Sequence, residues 1–293
     1  MSLHTIENDI LRLTVDDHGA EIKSLLRLDD DTELMWQADP EYWGRTSPVL
    51  FPIVGSYFEK ESVYEGKTYE MGQHGFARDM DFKVITESDD TLSFELVSNA
   101  STCEKYPFDF VLRVSYTLIE NQVKVRWQVK NPNTSKMYFS IGGHPAFNCD
   151  LNTYSLRFEN MLKPVDEIKA GIISADGSGC LSDEVDTYKL EDGVLAMSDE
   201  LFSKDALIIE NQEIDTVTLV DEEDEDVLTI VMNVPLFGIW SPVGKSAPFV
   251  CIEPWYGRCD RVGFNKDLTK REFGNELDPG EEFDKSYSIV VAD

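Results

Sequence analysis

Two histidines lie in segments that differ from the rest of this 293-residue chain. His74 stands in MGQHGFARD (71–79) and His144 in SIGGHPAFN (140–148), each beside glycine, near an aromatic residue and among few charges. Glycine next to histidine lets another backbone or a ligand approach closely. Both imidazoles are therefore candidates for acid–base chemistry, with a buried, hydrogen-bonded histidine as the structural alternative. His4 and His18 lie in a terminus and a predicted turn, and we interpret both as surface residues.

Glu253 is the third candidate, because it interrupts the apolar segment FVCIEPWYGRCD (249–260). Burying a carboxylate is costly unless it is paired or functional. Burial would raise its pKa and make it a better base near neutral pH, whereas an edge-strand glutamate facing water is the alternative. Trp255 and Tyr256 offer flat apolar faces on which sugars stack. Arg45, a lone cation among aromatic and apolar residues, is the fourth candidate, with a structural ion pair as its alternative.

The elements that must position these residues follow a period of two, which is typical of strands with one buried face. The clearest case is 112–129, where two alternating segments flank Glu120-Asn121-Gln122 and predict a β-hairpin. Further strands are predicted at 10–15, 20–28, 91–98, 206–210, 216–220, 227–234, 248–255 and 286–291, and short helices at 40–44 and 194–204.

Many short strands separated by turn signals predict an all-β fold, a sandwich or barrel with a few short helices. No change in composition marks a boundary, so we expect one domain over residues 1–293. The acidic run at 221–226 lacks the ligand spacing of a calcium loop and is interpreted as a solvated hairpin tip.

Composition restricts the partners. With 56 acidic and 26 basic side chains the formal charge is −30, which argues against binding nucleic acid or anionic membranes. The five cysteines (Cys103, Cys149, Cys180, Cys251 and Cys259) form no C-x-x-C pair and are expected to be free thiols. Neither a secretory signal nor a long apolar run is visible, so we expect a cytoplasmic monomer or homodimer.

Five segments together resemble the aldose 1-epimerases, or galactose mutarotase-like proteins, and most closely their LacX-like branch. The segments are RTSPVLFPIVG (45–55), QHGFARD (73–79), GGHPAFN (142–148), LFSKDALIIE (201–210) and CIEPWYGRCD (251–260). Each is weak alone, but their order and wide separation cover nearly the whole chain. The resemblance implies a large β-sandwich, which agrees with the period-two pattern.

The resemblance also implies a role for individual residues. It assigns Glu253 as general base and His144 as general acid, and it places His74 and Arg45 on the sugar. The family's substrate-gripping aspartate matches Asp205, and Trp255 is expected to bind substrate as well.

The implied reaction interconverts the α- and β-anomers of an aldohexose such as galactose or glucose. An acid and a base on opposite sides of one hemiacetal are required, and no metal, nucleotide or redox cofactor is needed. Because free histidine is only partly protonated at neutral pH, we expect a nearby carboxylate to raise the pKa of the acid.

The HGFARD segment departs from the HGG-type context of galactose enzymes and is closer to that of hexose-6-phosphate mutarotases. A phosphosugar would need a cluster of cationic side chains, and the candidates are Arg78, Arg258 and Arg261. The alternative is that these arginines form surface ion pairs.

Three other hypotheses remain open. In the first, the chain is a non-catalytic carbohydrate-binding protein on the same scaffold. In the second, His74, His144 and Glu253 form a metal site. In the third, the chain is a glycosidase. The missing His-x-His spacing argues against the metal site, and the presence of only one well-placed carboxylate argues against the glycosidase.

Overall fold

A computed structural model describes residues 2–211 and 213–292, and about half of these residues lie in antiparallel strands. The larger sheet has ten strands in this part of the chain. Nine lie in the order Lys163–Pro164, Ser155–Asn160, Thr216–Val220, Asp226–Met232, Glu282–Val291, Gln122–Lys130, Val111–Ile119, Thr91–Val97 and Lys83–Glu87, and Val194–Ala196 pairs with Ser155–Asn160.

The second sheet carries most of the residues that the sequence singled out. Seven of its eight described strands lie in the order Leu181–Lys189, Glu167–Ile173, Leu207–Glu210, Leu236–Trp240, Phe249–Tyr256, Ile141–Gly143 and Val49–Leu50, and Ala146–Asn148 pairs with Phe249–Tyr256. The smaller sheets are Leu3–Glu7, Leu11–Asp16, Glu21–Arg27 and Thr32–Glu33; Glu61–Tyr64 with Lys67–Glu70; and Met137–Phe139 with Asn275–Leu277.

Helices are few and short. The α-helix is Ala100–Lys105, and 3₁₀ turns cover Phe58–Lys60, Ala77–Asp79, Asp199–Phe202 and Leu268–Lys270. Among the described residues, none of the helices has the length and apolar composition that crossing a bilayer would require. All five cysteines carry free thiols, as expected.

The two large sheets share one apolar core, which confirms the predicted all-β sandwich. The alternating residues Leu112, Val114 and Tyr116 of the ten-stranded sheet pack there with Ile252 and Tyr256 of the eight-stranded sheet. The opposite face of the Phe249–Tyr256 strand packs into two smaller apolar clusters instead. Because neighbouring residues of a strand point to opposite faces, this second face is free to carry a site.

The predicted hairpin forms with Leu112 opposite Val129 and Leu118 opposite Val123. Its turn is one residue shorter than expected, because Gln122 already pairs with Ile119. The other predicted strands form within one to four residues of the expected bounds. Strands Glu167–Ile173 and Leu181–Lys189 were not predicted.

The predicted helices are largely wrong. Residues 40–44 form a turn, in which the backbone N–H groups of Tyr42 and Trp43 donate to the Asp39 carbonyl, and Gly44 ends it after one turn. In 194–204, Val194–Ala196 pairs as a strand, and only Asp199–Phe202 is helical, starting at the Ser198 cap. The α-helix at Ala100–Lys105 was missed, although Asn99 and Thr102 form a capping box before it.

The acidic run at 221–226 is a hairpin tip, as predicted. It joins Thr216–Val220 to Asp226–Met232, and Asp221 accepts hydrogen bonds from the backbone N–H groups of Glu223 and Glu225. The carboxylate of Asp221 therefore stabilises the turn itself.

Candidate functional site

One cavity of about 400 Å³ brings all six predicted site residues together. Arg45, His74, His144, Asp205, Glu253 and Trp255 all line it. The remaining lining residues are mostly apolar or small: Trp43, Val54, Gly55, Gln73, Arg78, Ile173, Gly179, Ala206, Ile208, Trp240 and Cys259.

The Phe249–Tyr256 strand places Glu253 and Trp255 on the cavity face. Tyr256, one position on, points into the shared core, where its hydroxyl donates to the Asn233 carbonyl over 2.6 Å. The expectation that Tyr256 offers a sugar-stacking face is therefore wrong, because strand alternation turns it away from the cavity.

Glycine brings the strand that precedes His144 against this central strand. Ile141 pairs with Tyr256 and Gly142 with Trp255, and a Cβ at Gly142 would lie 2.5 Å from the Trp255 ring. The Trp255 indole fills this space and is only 4% exposed. Its Nε1 is buried without a hydrogen-bond partner.

His74 is held by its backbone in the left-handed region, at φ 65°. Its own N–H donates to the Gly55 carbonyl over 2.7 Å, and the Gly55 N–H donates back to Nδ1 over 3.1 Å. Because Nδ1 accepts a hydrogen bond, the ring proton of neutral His74 is assigned to Nε2. Burial, aided by the nearby His144, Arg78 and Arg45, lowers the pKa of His74 well below its ordinary value.

His144 and Glu253 face each other at the centre of the cavity. Nε2 of His144 lies 3.4 Å from Oε2 of Glu253, and their side chains are 8% and 1% exposed. Trp43 stacks on the imidazole with ring centroids 4.8 Å apart, and Trp240 meets it edge-on at 5.4 Å. The fold thus brings His144 and Glu253, which are over a hundred positions apart in the sequence, into direct contact.

The cavity favours the neutral form of both partners. Burial raises the pKa of Glu253 well above its ordinary value. Burial and then the charge of Arg78 lower the pKa of His144 to about 3. The expectation that a carboxylate raises the pKa of His144 is wrong, because the aromatic enclosure and the arginine outweigh it.

Several polar atoms of the cavity have no hydrogen-bond partner in the protein. Of the eight buried, unpartnered side-chain nitrogen and oxygen atoms in residues 2–211 and 213–292, four belong to its lining. They are Nε of Arg78, Nδ1 of His144, Oε2 of Glu253 and Nε1 of Trp255. Buried polar groups are normally hydrogen-bonded, so donors and acceptors left open together indicate a polar ligand.

The charged residues of the rim are not all available to such a ligand. Arg45 donates to Asp79 over 2.6 Å, and Arg78 donates to the Gln73 carbonyl over 2.8 Å. Asp205 is exposed, with φ 75°, and accepts a hydrogen bond from the Ala206 N–H.

Of the three arginines considered for a phosphate, only Arg78 lines the cavity. Arg258 pairs with Glu210 and Glu272, and Arg261 bonds the same two carboxylates. Arg258 and Arg261 therefore form ion pairs, as the alternative expected, but Arg258 is buried rather than at the surface.

The possible metal ligands differ from the expected trio. In the described residues, donor atoms of His144, Cys251 and Glu253 lie within 4.8 Å of one another, and His74 is not part of this group. Cys251 was missed, although it stands two positions before Glu253 and so shares its face. The sequence analysis also did not predict Trp43 and Trp240 as site residues. The aromatic residues around Arg45 were the one signal that pointed to Trp43.

Comparison with known proteins agrees with this architecture. The sequence profile of the aldose 1-epimerase family matches residues 2–289. The protein LacX of Lactococcus lactis subsp. lactis is 30% identical, over 98% of each chain.

Two solved structures extend the likeness to three dimensions. A galactose mutarotase related enzyme from Lactobacillus acidophilus superposes with a TM-score of 0.92 at 37% identity, covering 100% of this chain and 98% of the other. A galactose mutarotase-like protein from Lactobacillus casei gives 0.91 at 30% identity, covering 99% and 100%. The chain belongs to the aldose 1-epimerase family, on its LacX-like branch.

Proposed function

We propose that this protein is a mutarotase that interconverts the α- and β-anomers of an aldohexose such as galactose or glucose. The observation that carries the proposal is the buried His144–Glu253 pair, 3.4 Å apart in a cavity with unpartnered polar atoms. Opening a hemiacetal ring requires one group to take a proton and another to give one, and this pair supplies both.

The pair works with a single proton. Transfer across the Nε2–Oε2 contact converts neutral His144 and Glu253 into an imidazolium and a carboxylate. The carboxylate of Glu253 then takes the proton of the C1 hydroxyl, while His144 gives its proton to the ring oxygen. The C1–O5 bond breaks, its electrons stay on O5, and C1 becomes an aldehyde carbon.

Rotation about C1–C2 presents the other face of the aldehyde, and the same transfers in reverse close the ring. Ring opening leaves Glu253 protonated and His144 neutral. That is the form of the pair which burial favours, and it is the same form in which the free protein starts. Ring opening takes two proton transfers with the sugar and ring closure takes two more, and this chemistry needs no cofactor.

The other lining residues hold the sugar in this scheme. His74 would donate from Nε2 because its Nδ1 is occupied by Gly55, and Trp255 would donate from its free indole N–H. Arg45 and Asp205 are assigned to hydroxyl groups of the sugar, one as donor and one as acceptor.

The test is polarimetry of freshly dissolved α-galactose and α-glucose with purified protein. Glu253→Gln and His144→Asn should each slow the enzymatic rate by roughly 10²- to 10⁴-fold, the usual contribution of one acid or base. Glu104→Gln and His18→Asn make the same chemical changes outside the cavity and should keep the wild-type rate. Near-normal rates in either cavity variant, with circular dichroism showing a folded protein, would refute the assigned roles.

A hexose 6-phosphate is a second candidate substrate, favoured by Arg78, which lines the cavity and whose Nε has no hydrogen-bond partner. Parallel assays of galactose, glucose and their 6-phosphates decide between them. Calorimetric binding of a sugar without any rate enhancement would instead favour a non-catalytic carbohydrate-binding protein.

A further inference from the structure

We propose that His144 and Glu253 of this cavity, together with the neighbouring buried Cys251, also form a zinc site, and that zinc bound there inhibits the protein. The binding part stands on its own geometry, whereas the inhibition part rests on the proposed mutarotase function. The occupant is a borderline-soft divalent ion, because the three donors are a ring nitrogen, a sulfur and a carboxylate oxygen.

The spacing of the donors suits a small tetrahedral ion. Zinc lies about 2.0–2.1 Å from histidine nitrogen and 2.0–2.2 Å from carboxylate oxygen, which puts two such ligands about 3.4 Å apart in a tetrahedron. Nε2 of His144 and Oε2 of Glu253 are already 3.4 Å apart. The three donor atoms all lie within 4.8 Å of one another, so the Cys251 sulfur needs to approach by about 1 Å at most to reach a typical bond length.

The same strand aims two of these donors. Cys251 and Glu253 stand two positions apart on Phe249–Tyr256 and therefore point to one face, towards His144. Oε2 of Glu253 is buried without a hydrogen-bond partner, and its side chain is 1% exposed. A carboxylate oxygen without a hydrogen-bond partner, close to a thiol and an imidazole, indicates a missing ligand.

Three protein ligands leave a fourth zinc position for an exchangeable water, as in catalytic zinc sites. Glu253 and His144 line the cavity, which supplies the path by which the ion enters. Magnesium and calcium are disfavoured, since they require six or more oxygen ligands.

Bound zinc would occupy the two atoms that exchange protons with the sugar. The lone pairs of Nε2 and Oε2 would then belong to the metal, and neither group would be free for acid–base work. Zinc and sugar would therefore exclude each other, with zinc acting as a competitive inhibitor.

The first experiment measures binding without any sugar. Cobalt(II) added to the metal-free, full-length protein should give a sulfur-to-cobalt charge-transfer band, and calorimetry should show one zinc per chain. Cys251→Ala should lose the band and weaken zinc binding by at least roughly 100-fold, since loss of an outer-shell partner alone costs 10- to 100-fold. Cys180→Ala, at another fully buried thiol, is the matched control and should retain both signals.

The second experiment measures inhibition by polarimetry with the most active sugar. Zinc should slow the wild-type protein and the Cys180→Ala variant, EDTA should restore the rate, and magnesium should have no effect. Cys251→Ala should keep the basal rate and resist zinc. If alanine at this buried position prevents folding, Cys251→Ser provides a variant of almost the same shape.

The outcomes separate the two proposals. Absence of the cobalt–thiolate band, or equal zinc affinity in wild type and Cys251→Ala, would overturn the zinc site. Zinc binding at full mutarotase rate would overturn the inhibition. If no sugar is turned over, the proposed function fails, but the spectrum and the calorimetry still decide the zinc site.

Discussion

At the scale of single residues, the enclosure of His144 decides its chemistry more than its distance from a carboxylate does. The imidazole lies between Trp43 and Trp240, with Glu253 at 3.4 Å. A charged imidazole in such surroundings loses favourable hydration free energy, and its interaction with one neutral, equally buried carboxyl group does not make up that loss. The free protein is therefore expected to hold its single shared proton on Glu253.

This expectation can be tested by nitrogen-15 NMR of histidine-labelled protein in EDTA-containing buffer. The pKa of His144 is lowered to about 3 and that of His74 is lowered too, so both rings should stay neutral as the pH falls from 8 to 5. A histidine with its ordinary pKa of about 6.5 would become charged over the same range. His144→Asn and His74→Asn assign the signals. Titration of His144 near pH 6.5 would contradict the one-proton, neutral pair.

The residues that the sequence singled out line one cavity, but the sequence did not give their surroundings. The period of two places Tyr256 on the opposite face of the strand from Glu253, because the two positions differ by three. It places Cys251 on the same face as Glu253, because those positions differ by two. The pKa of His144 was not predictable, since reference values carry no information on burial. Trp240 lies on another strand, and nothing in the sequence around His144 points to that contact.

At the scale of elements, the site depends on close packing between segments far apart in the chain. The QHG segment lies against residues 51–55: the Phe51 carbonyl accepts from Phe76 and Ala77, and Gly55 bonds His74 in both directions. Alternation predicted many strands, but it could not give their order in the sheets. That order depends on long-range contacts such as Gly142 against Trp255.

Gly75→Ala should disrupt this packing. A Cβ at Gly75 would lie 2.2 Å from the Phe51 carbonyl oxygen, and the residue has a φ of 74°. An alanine in the left-handed backbone conformation costs about 1–2 kcal/mol of unfolding free energy. In addition, the segment that carries His74 must move to make room for the Cβ. We expect a loss of unfolding free energy greater than about 3 kcal/mol, together with a lower mutarotation rate.

Gly66→Ala is the matched control for that variant. Gly66 has a φ of 78°, but no atom lies within 4 Å of its added Cβ. It should lose only the backbone contribution of about 1–2 kcal/mol and keep its activity. Equal losses in urea unfolding for the two variants would show that the contact with Phe51 is unimportant.

At the scale of the whole molecule, the net charge of −30 sets how stability responds to salt. Exposed ion pairs each contribute only about 0–1 kcal/mol. Even if each of the 26 basic side chains neutralised one carboxylate, 30 carboxylates would remain uncompensated. Repulsion among them opposes the compact state, and added salt screens that repulsion more than it weakens the pairs.

The melting temperature should therefore rise when sodium chloride is increased from about 0.01 M to 0.15 M, as the screening length falls from about 30 Å to 8 Å. The acidic hairpin tip at 221–226 allows the repulsion between carboxylates to be tested at one place. Glu223→Gln with Glu225→Gln removes two exposed charges and leaves the Asp221 carboxylate that holds the turn. This double variant should melt higher than the wild type at low salt, and the difference should shrink at 0.5 M. A melting temperature that falls with added salt would mean that ion pairs, rather than repulsion, dominate the surface electrostatics of this fold.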